Sequence, residues 1–364
     1  MLTRELQKNI GQFFMMGFEG ITPSQETIWL MQKRNVGGII LFRSNCSSVK
    51  QTHELIEQLK KNATDLPLCI AIDHEGGRVN RLPKPFTHFP PMAFLGKLYE
   101  RMPSSQLGLE VGQAMGRELS ALGVHLNFAP VLDVDTNPVN PVIGDRSFSN
   151  KPEIVSKVGC QLIQGMQIMG VAACGKHFPG HGDTDEDSHE VLPRLAHNMK
   201  RLESLELLPF EAAIQENVAT IMTAHVVYDG IDKNTPATFS VKILRDILRD
   251  ELKFEGLIVS DDLSMGAIAK HGSLEEACEK AFIAGCDLLI TGKDPKKIAL
   301  ALDHFARAIE EERIPTQRVE QALERMTVFK KHFCRPRRED LRPKLSLIGS
   351  KGHQELLNKI NQMA

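Results

Sequence analysis

Short apolar runs bounded by turn residues recur along the chain, and each is followed by a longer stretch whose apolar positions return at helical spacing. Eight runs stand out: QFFMMGF (12–18), GGIILF (37–42), LCIAID (68–73), LNFAPVLDV (126–134), VAACGKHF (171–178), ATIMTAHV (219–226), GLIVSDD (256–262) and CDLLITG (286–292). They are apolar nearly throughout instead of alternating with polar residues, the pattern of parallel strands covered on both faces. The helical stretches carry their own punctuation. In SLEEACEKAFIAG, Ser273 and Glu276 stand at capping-box spacing and Gly285 marks a C-terminal stop.

Eight strand–helix units predict an α/β protein built as a single (β/α)8 TIM-type barrel. A doubly wound open sheet is the alternative, and no GxGxxG or GxxxxGK[ST] loop follows any strand to support it. The expected division is a barrel over residues 1–334 and, over 335–364, a basic linker with a C-terminal helical extension, where GHQELLNKINQM has helical spacing. That extension either packs on the outside of the barrel or mediates self-association.

Composition narrows the class. The chain has 364 residues, 42% hydrophobic and 25% charged, as in a soluble globular protein with a sizeable core. A formal net charge of −2 argues against nucleic-acid binding, which calls for a basic stripe. The one basic cluster, RPRREDLRPK (335–344), also carries Glu339 and Asp340 and reads as a solvated segment. No run of apolar residues is long enough to span a bilayer, and MLTRELQKNI is amphipathic, not a charged head before an apolar block. The seven cysteines form no CxxC pair and fit buried thiols in a reducing compartment. The expectation is a cytoplasmic protein with no membrane partner.

In a barrel, the chemistry belongs at the carboxyl ends of the strands. Asp73, Asp133, His177, His225, Asp261 and Asp262 all lie at or just past the end of an apolar run. The segment KHFPGHGDTDEDSHEVLP (176–193) concentrates further titratable groups. His177 and His181 have the spacing of a helical zinc motif, but Pro179 and Gly180 between them break such a helix. Asp183, Asp185 and Asp187 imitate the start of an EF-hand loop, whose sixth and twelfth positions here are Ser188 and Arg194 instead of Gly and Glu. A metal site gathered from His177, His225 and an aspartate stays open on spacing alone, as does a plain hydrated loop.

DHEGGRVNR (73–81), KHFPGHG (176–182), DSH (187–189) and SDDLSM (260–265), in this order and on these runs, resemble glycoside hydrolase family 3, and within it the single-domain bacterial β-N-acetylglucosaminidases. The resemblance covers about residues 5 to 330. It implies a retaining enzyme on a (β/α)8 barrel, with Asp261 as nucleophile and His189, held by Asp187, as general acid/base. It also implies sugar binding by Asp73, Arg81, Arg146 (in VIGDRSF), Lys176 and His177, with no metal and no cofactor. His74 stands where many relatives carry glutamine.

The chemistry suits these residue types. Retaining hydrolysis forms and then hydrolyses a covalent glycosyl-enzyme, so Asp261 must be ionised and rigidly held. Its neighbour Asp262 is expected to point away, because adjacent strand residues face opposite sides. Histidine can give and later take a proton near neutral pH, and an aspartate on its other nitrogen fixes the tautomer. Gly180 and Gly182 are expected to let the histidine loop swing.

The implied substrate is a terminal β-linked N-acetylglucosamine, on a small carbohydrate or cytoplasmic muropeptide of cell-wall recycling. The protein is expected to be a monomer or weak dimer. One tryptophan and two tyrosines favour a small exo-acting pocket over a long stacking groove. A related β-glycosidase of the family, an N-acetylglucosaminide phosphorylase, a catalytically dead sugar sensor and a metal-dependent hydrolase are the rival readings.

Overall fold

The computed structural model describes residues 8–64, 66–186, 191–270, 272–335 and 343–363. Each of the eight apolar runs contains a strand: β1 (Phe14–Met16), β2 (Gly38–Leu41), β3 (Cys69–Ile72), β4 (Leu126–Asn127), β5 (Ala172–Phe178), β6 (Thr220–Thr223), β7 (Leu257–Val259) and β8 (Leu289–Ile290). All pair in parallel, in the order β7-β6-β5-β4-β3-β2-β1-β8. The two edges then meet: Val259 bridges Leu288 in parallel, and the Ser260 N–H donates to the Leu288 carbonyl at 2.9 Å. The sheet closes on itself as a (β/α)8 barrel, which leaves no exposed strand edge.

Alternate strand residues divide between two cores. Met15, Ile40, Ala71, Leu126, Met222, Val259 and Ile290 fill the inside of the barrel. Their neighbours Phe14, Met16, Ile39, Leu41, Ile70, Ile72, Ile258 and Leu289 pack outward under the helices. Both faces of each strand are therefore buried, which is why the strands read as unbroken apolar runs. The helices begin where the sequence says they should: the Ser273 hydroxyl accepts from the Glu276 N–H at 3.3 Å, opening Leu274–Ala284, and Gly285 ends it at a φ of +140°.

At the amino end of β8, fully buried Asp287 receives Arg249, Arg318 and Arg325, and so ties the helices around it to the barrel floor. Beyond the barrel, Leu345–Leu347 forms a short turn and Lys351–Gln362 a helix. Ile348 and Ile360 of this segment are buried in the outer core, beside the helix Leu107–Leu122. No helix among the described residues is long and apolar enough to cross a membrane.

Candidate active site

The carboxyl end of β3 runs straight into a small antiparallel hairpin, His74–Gly76 with Val79–Asn80. Residues two apart on an extended chain face the same way, and Asp73 and Glu75 accordingly meet one cation. The Lys176 ammonium, carried by β5, lies 3.0 Å from Asp73 Oδ1 and 2.7 Å from Glu75 Oε1. Glu75 in turn grips one edge of the Arg146 guanidinium with both its oxygens, Nε to Oε2 and Nη2 to Oε1 each at 2.9 Å. Arg81 Nη2 stands 3.9 Å from Asp73 Oδ2. A row of alternating charge results: Arg81, Asp73, Lys176, Glu75, Arg146.

Burial alone would push the Glu75 carboxyl up, but Arg146 and Lys176 outweigh it and hold the group far below the ordinary range. Burial likewise opposes the charge on Lys176, and Glu75 and Asp73 raise its pKa regardless. Glu75 and Lys176 are ionised at neutral pH, and each neutralises the other's desolvation cost.

Next to Lys176 on β5, His177 is anchored by Asp133, which is completely buried. Asp133 Oδ2 lies 2.7 Å from His177 Nδ1, while Oδ1 accepts the main-chain N–H groups of His177 (3.1 Å) and His181 (2.7 Å). Burial pushes the Asp133 carboxyl up, yet these donors, His177 first, keep it below its usual value. A carboxylate accepts only, so Nδ1 carries the hydrogen, and in the neutral ring Nε2 is left as an acceptor.

β7 ends at Val259, and Asp261 and Asp262 follow in irregular chain. Strand alternation therefore does not apply to them. Contrary to the expectation that Asp262 points away, both residues line the same cavity. Their surroundings separate them. Asp261 Oδ1 accepts the Asp262 N–H at 2.8 Å. Burial raises the Asp261 pKa, but His225, His177, that N–H and Lys176 together bring it below the ordinary value.

Asp262 spends its Oδ1 on the Ser264 N–H (2.9 Å) and hydroxyl (2.7 Å), and burial leaves its pKa raised. Two adjacent acids pushed apart in this way are suited to different work. His225, fully buried and with its pKa lowered mainly by that burial, is held between the Thr238 hydroxyl (2.8 Å) and the Asp262 carbonyl (3.1 Å).

Asp73, Arg81, Arg146, Lys176, His177 and Asp261 all border one cavity of about 400 Å³, with Phe42, Phe128, Met222 and Met265 among its apolar walls. That volume sits toward the small end of ligand sites, which run from roughly 300 to 1,000 Å³. A larger cavity of about 560 Å³ lies by Leu68, Val124 and Phe333, but it gathers no pair of acids, so chemistry and not volume identifies the site. Among the described residues, no three His, Cys, Asp or Glu side chains form a metal-holding group.

The segment leading to the histidine loop is tightly held, against the expectation of slack at its glycines. The Asn140 amide donates to the carbonyls of His181 (2.9 Å) and Gly182 (3.0 Å), and the Tyr228 hydroxyl donates to Gly180. A Cβ on Gly182 would sit 1.8 Å from the Val134 carbonyl oxygen, so glycine is there for close approach. The assigned acid/base pair, Asp187 and His189, lies outside the described residues.

Two residues of the site were given no role from the sequence. Glu75 sits inside the DHEGG motif, and its i, i+2 relation to Asp73 is the signal that would have found it. Asp133 was noticed at a strand end without a role, because its partner His177 is 44 positions away.

Residues 5–329 match the family described as the glycosyl hydrolase family 3 N-terminal domain. A β-hexosaminidase of Nitrosomonas eutropha is 38% identical over 317 residues, 86% of this chain and 90% of its own length. Among solved structures, a glycoside hydrolase family 3 β-N-acetylglucosaminidase from Paenibacillus sp. str. FPU-7 is similar at a TM-score of 0.90 and 36% identity, over 100% of this chain and 69% of that one. NagZ from Neisseria gonorrhoeae, in complex with N-trifluoroacetyl-D-glucosamine, is similar at a TM-score of 0.82 and 34% identity, over 97% of this chain and 98% of its own.

Proposed function

The chain belongs to glycosyl hydrolase family 3, and from that premise we propose that it is a retaining exo-β-N-acetylglucosaminidase that releases non-reducing terminal N-acetylglucosamine. The observation that carries the reading is the meeting of Asp261 with Asp73, Arg81, Arg146, Lys176 and His177 around one small cavity. The charged row offers donors and acceptors to the hydroxyls of a single sugar, and the Nε2 of His177 accepts from another.

Asp261, kept ionised by its neighbours, attacks the anomeric carbon of the bound sugar. The bond to the leaving oxygen breaks as His189 gives that oxygen a proton, and Asp187 supports the imidazolium. In the second displacement His189 takes a proton from water, the water oxygen bonds to the anomeric carbon, and the Asp261 carboxylate is released. Lys176 beside Asp73 and Glu75 keeps the row fixed during both steps, so little reorganisation is required. The natural substrate in this reading is a cytoplasmic muropeptide, N-acetylglucosamine joined to an anhydro-N-acetylmuramyl peptide.

The test is turnover of an aryl N-acetyl-β-D-glucosaminide beside the matching β-D-glucoside, with Asp261→Ala in parallel, chelator present, and buffers with and without phosphate. Selective hydrolysis of the N-acetyl sugar, abolished in the variant and insensitive to chelator, is the expected result. Sugar 1-phosphate formed in phosphate buffer would make the enzyme a phosphorylase. Activity surviving Asp261→Ala would overturn the nucleophile assignment. Release of N-acetylglucosamine from a purified muropeptide tests the natural substrate.

A further inference from the structure

The sugar-binding hairpin is backed by the chain that follows it. The Gly77 N–H donates to the Phe89 carbonyl at 2.9 Å, and a Cβ on Gly76 or Gly77 would crowd Pro90 and Pro91. Within this backing segment, Thr87 is clamped by Glu118, a buried carboxylate on the helix Leu107–Leu122. Thr87 N–H donates to Oε2 at 2.9 Å and its hydroxyl to Oε1 at 2.7 Å.

The same Oε1 takes two donors from the C-terminal extension, the Gly349 N–H at 2.9 Å and His353 Nδ1 at 2.7 Å. Burial pushes the Glu118 carboxyl up, and His353 and the Thr87 donors bring it below its usual value. The extension also touches the backing segment directly. Gln354 Nε2 lies 3.3 Å from the Thr87 hydroxyl, and at Gly349, with φ +65°, a Cβ would sit 2.2 Å from the Pro85 carbonyl oxygen.

We propose that the C-terminal extension is a positioning element for the sugar site. Through His353 and Gly349 it loads Glu118, which fixes Thr87 and the segment behind the Asp73–Arg81 hairpin. Its consequence for turnover rests on the function proposed above; its consequence for the hairpin does not. His353 is a positioning residue: it touches neither sugar nor reacting atoms and acts on ground-state binding, so KM moves and kcat stays.

Full-length His353→Ala, His353→Asn and Thr87→Val are compared with the wild type in two measurements. His353→Asn keeps an N–H where Nδ1 was; Thr87→Val leaves the extension and its bond to Glu118 in place. For the aryl N-acetylglucosaminide, His353→Ala and Thr87→Val are expected to raise KM roughly five- to tenfold with kcat nearly unchanged, the scale of one charge-assisted hydrogen bond, and His353→Asn to restore it. Amide exchange at Gly77 is expected to quicken in the first two variants and not in the third, with the barrel strands unaffected.

Wild-type exchange at Gly77 in His353→Ala would overturn the proposal whatever Thr87→Val shows, and so would loosening of hairpin and barrel strands alike. An inactive wild type would sink the function reading alone, because the exchange measurement still decides this one.

Discussion

The Arg146 guanidinium meets the Glu75 carboxylate edge to edge, through two hydrogen bonds of 2.9 Å. Glu75 is 2% exposed and is shared with the Lys176 ammonium at 2.7 Å, so one buried anion serves two cations. Removing that anion leaves both cations in a poorly solvating site. Glu75→Gln preserves shape and removes charge, and it is expected to cost about 3–5 kcal/mol of stability, as breaking a buried pair does. It should also weaken turnover by freeing Lys176 to swing toward Asp73. Urea unfolding and steady-state kinetics on the same preparation check both.

His74 makes the protein acid-sensitive over a defined window. Its ring is 1% exposed, its Nδ1 has no hydrogen-bond partner, and burial lowers its pKa to about 4. Burial does the same to His181, also to about 4. In the unfolded chain both titrate near 6.5. The folded pKa is the lower one, so the unfolded state takes up protons first. Stability is full above about pH 6.5 and falls as pH drops toward 4, by on the order of 3 kcal/mol for each ring. His74→Gln, the residue expected in many relatives, should make the fall of the urea midpoint between pH 6.5 and 4 about half as steep, His181 supplying the rest, while leaving it little changed at pH 8. An equally steep decline in the variant would show that His74 is not one of the titrating groups.

Asp261 should set the acid limb of activity. Its neighbours hold its pKa below the ordinary carboxylate value. A nucleophile works only when ionised, so protonation of Asp261 is expected to limit kcat/KM only below the range in which an ordinary carboxylate titrates. Asp261→Ala should lower kcat/KM by roughly a thousandfold or more, as loss of a nucleophile does. Intact-protein mass spectrometry of wild type quenched during turnover should find the glycosyl-enzyme, which the variant cannot form.

The barrel was legible because its determinants are local. Each strand is a short run buried on both faces, and every one of the eight contains its strand. Gly285 and Ser273 mark helix ends through backbone geometry that depends on neighbours in sequence. The site was legible only in part, since its relations are long-range. Glu75 becomes important through Arg146, 71 positions away, and Asp133 through His177. Asp262 was misjudged because strand periodicity was extended past Val259, where the strand has already ended. Gly182 was read as freedom when it is packing, and only the approach of the Val134 carbonyl reveals that.

Asp133 offers a test of what its pairing with His177 does. Its Oδ1 is committed to two main-chain N–H groups, so Oδ2 alone faces His177 Nδ1. In Asp133→Asn the amide oxygen is drawn to those two donors, and its NH2 group must then face Nδ1. Two donors cannot share that contact, so the ring has to become an acceptor at Nδ1 and carry its hydrogen on Nε2. The atom facing the sugar thereby changes from acceptor to donor. The variant is expected to lose about 1–3 kcal/mol of stability, the scale of one disturbed buried hydrogen bond, yet to remain folded with kcat/KM reduced roughly a hundredfold by the wrong tautomer. The nitrogen-15 shifts of the His177 ring report the tautomer directly. A switched tautomer with wild-type kinetics would mean that His177 supports the cavity wall without contacting the sugar. An unswitched tautomer with impaired kinetics would place the defect in the main chain at His177 and His181.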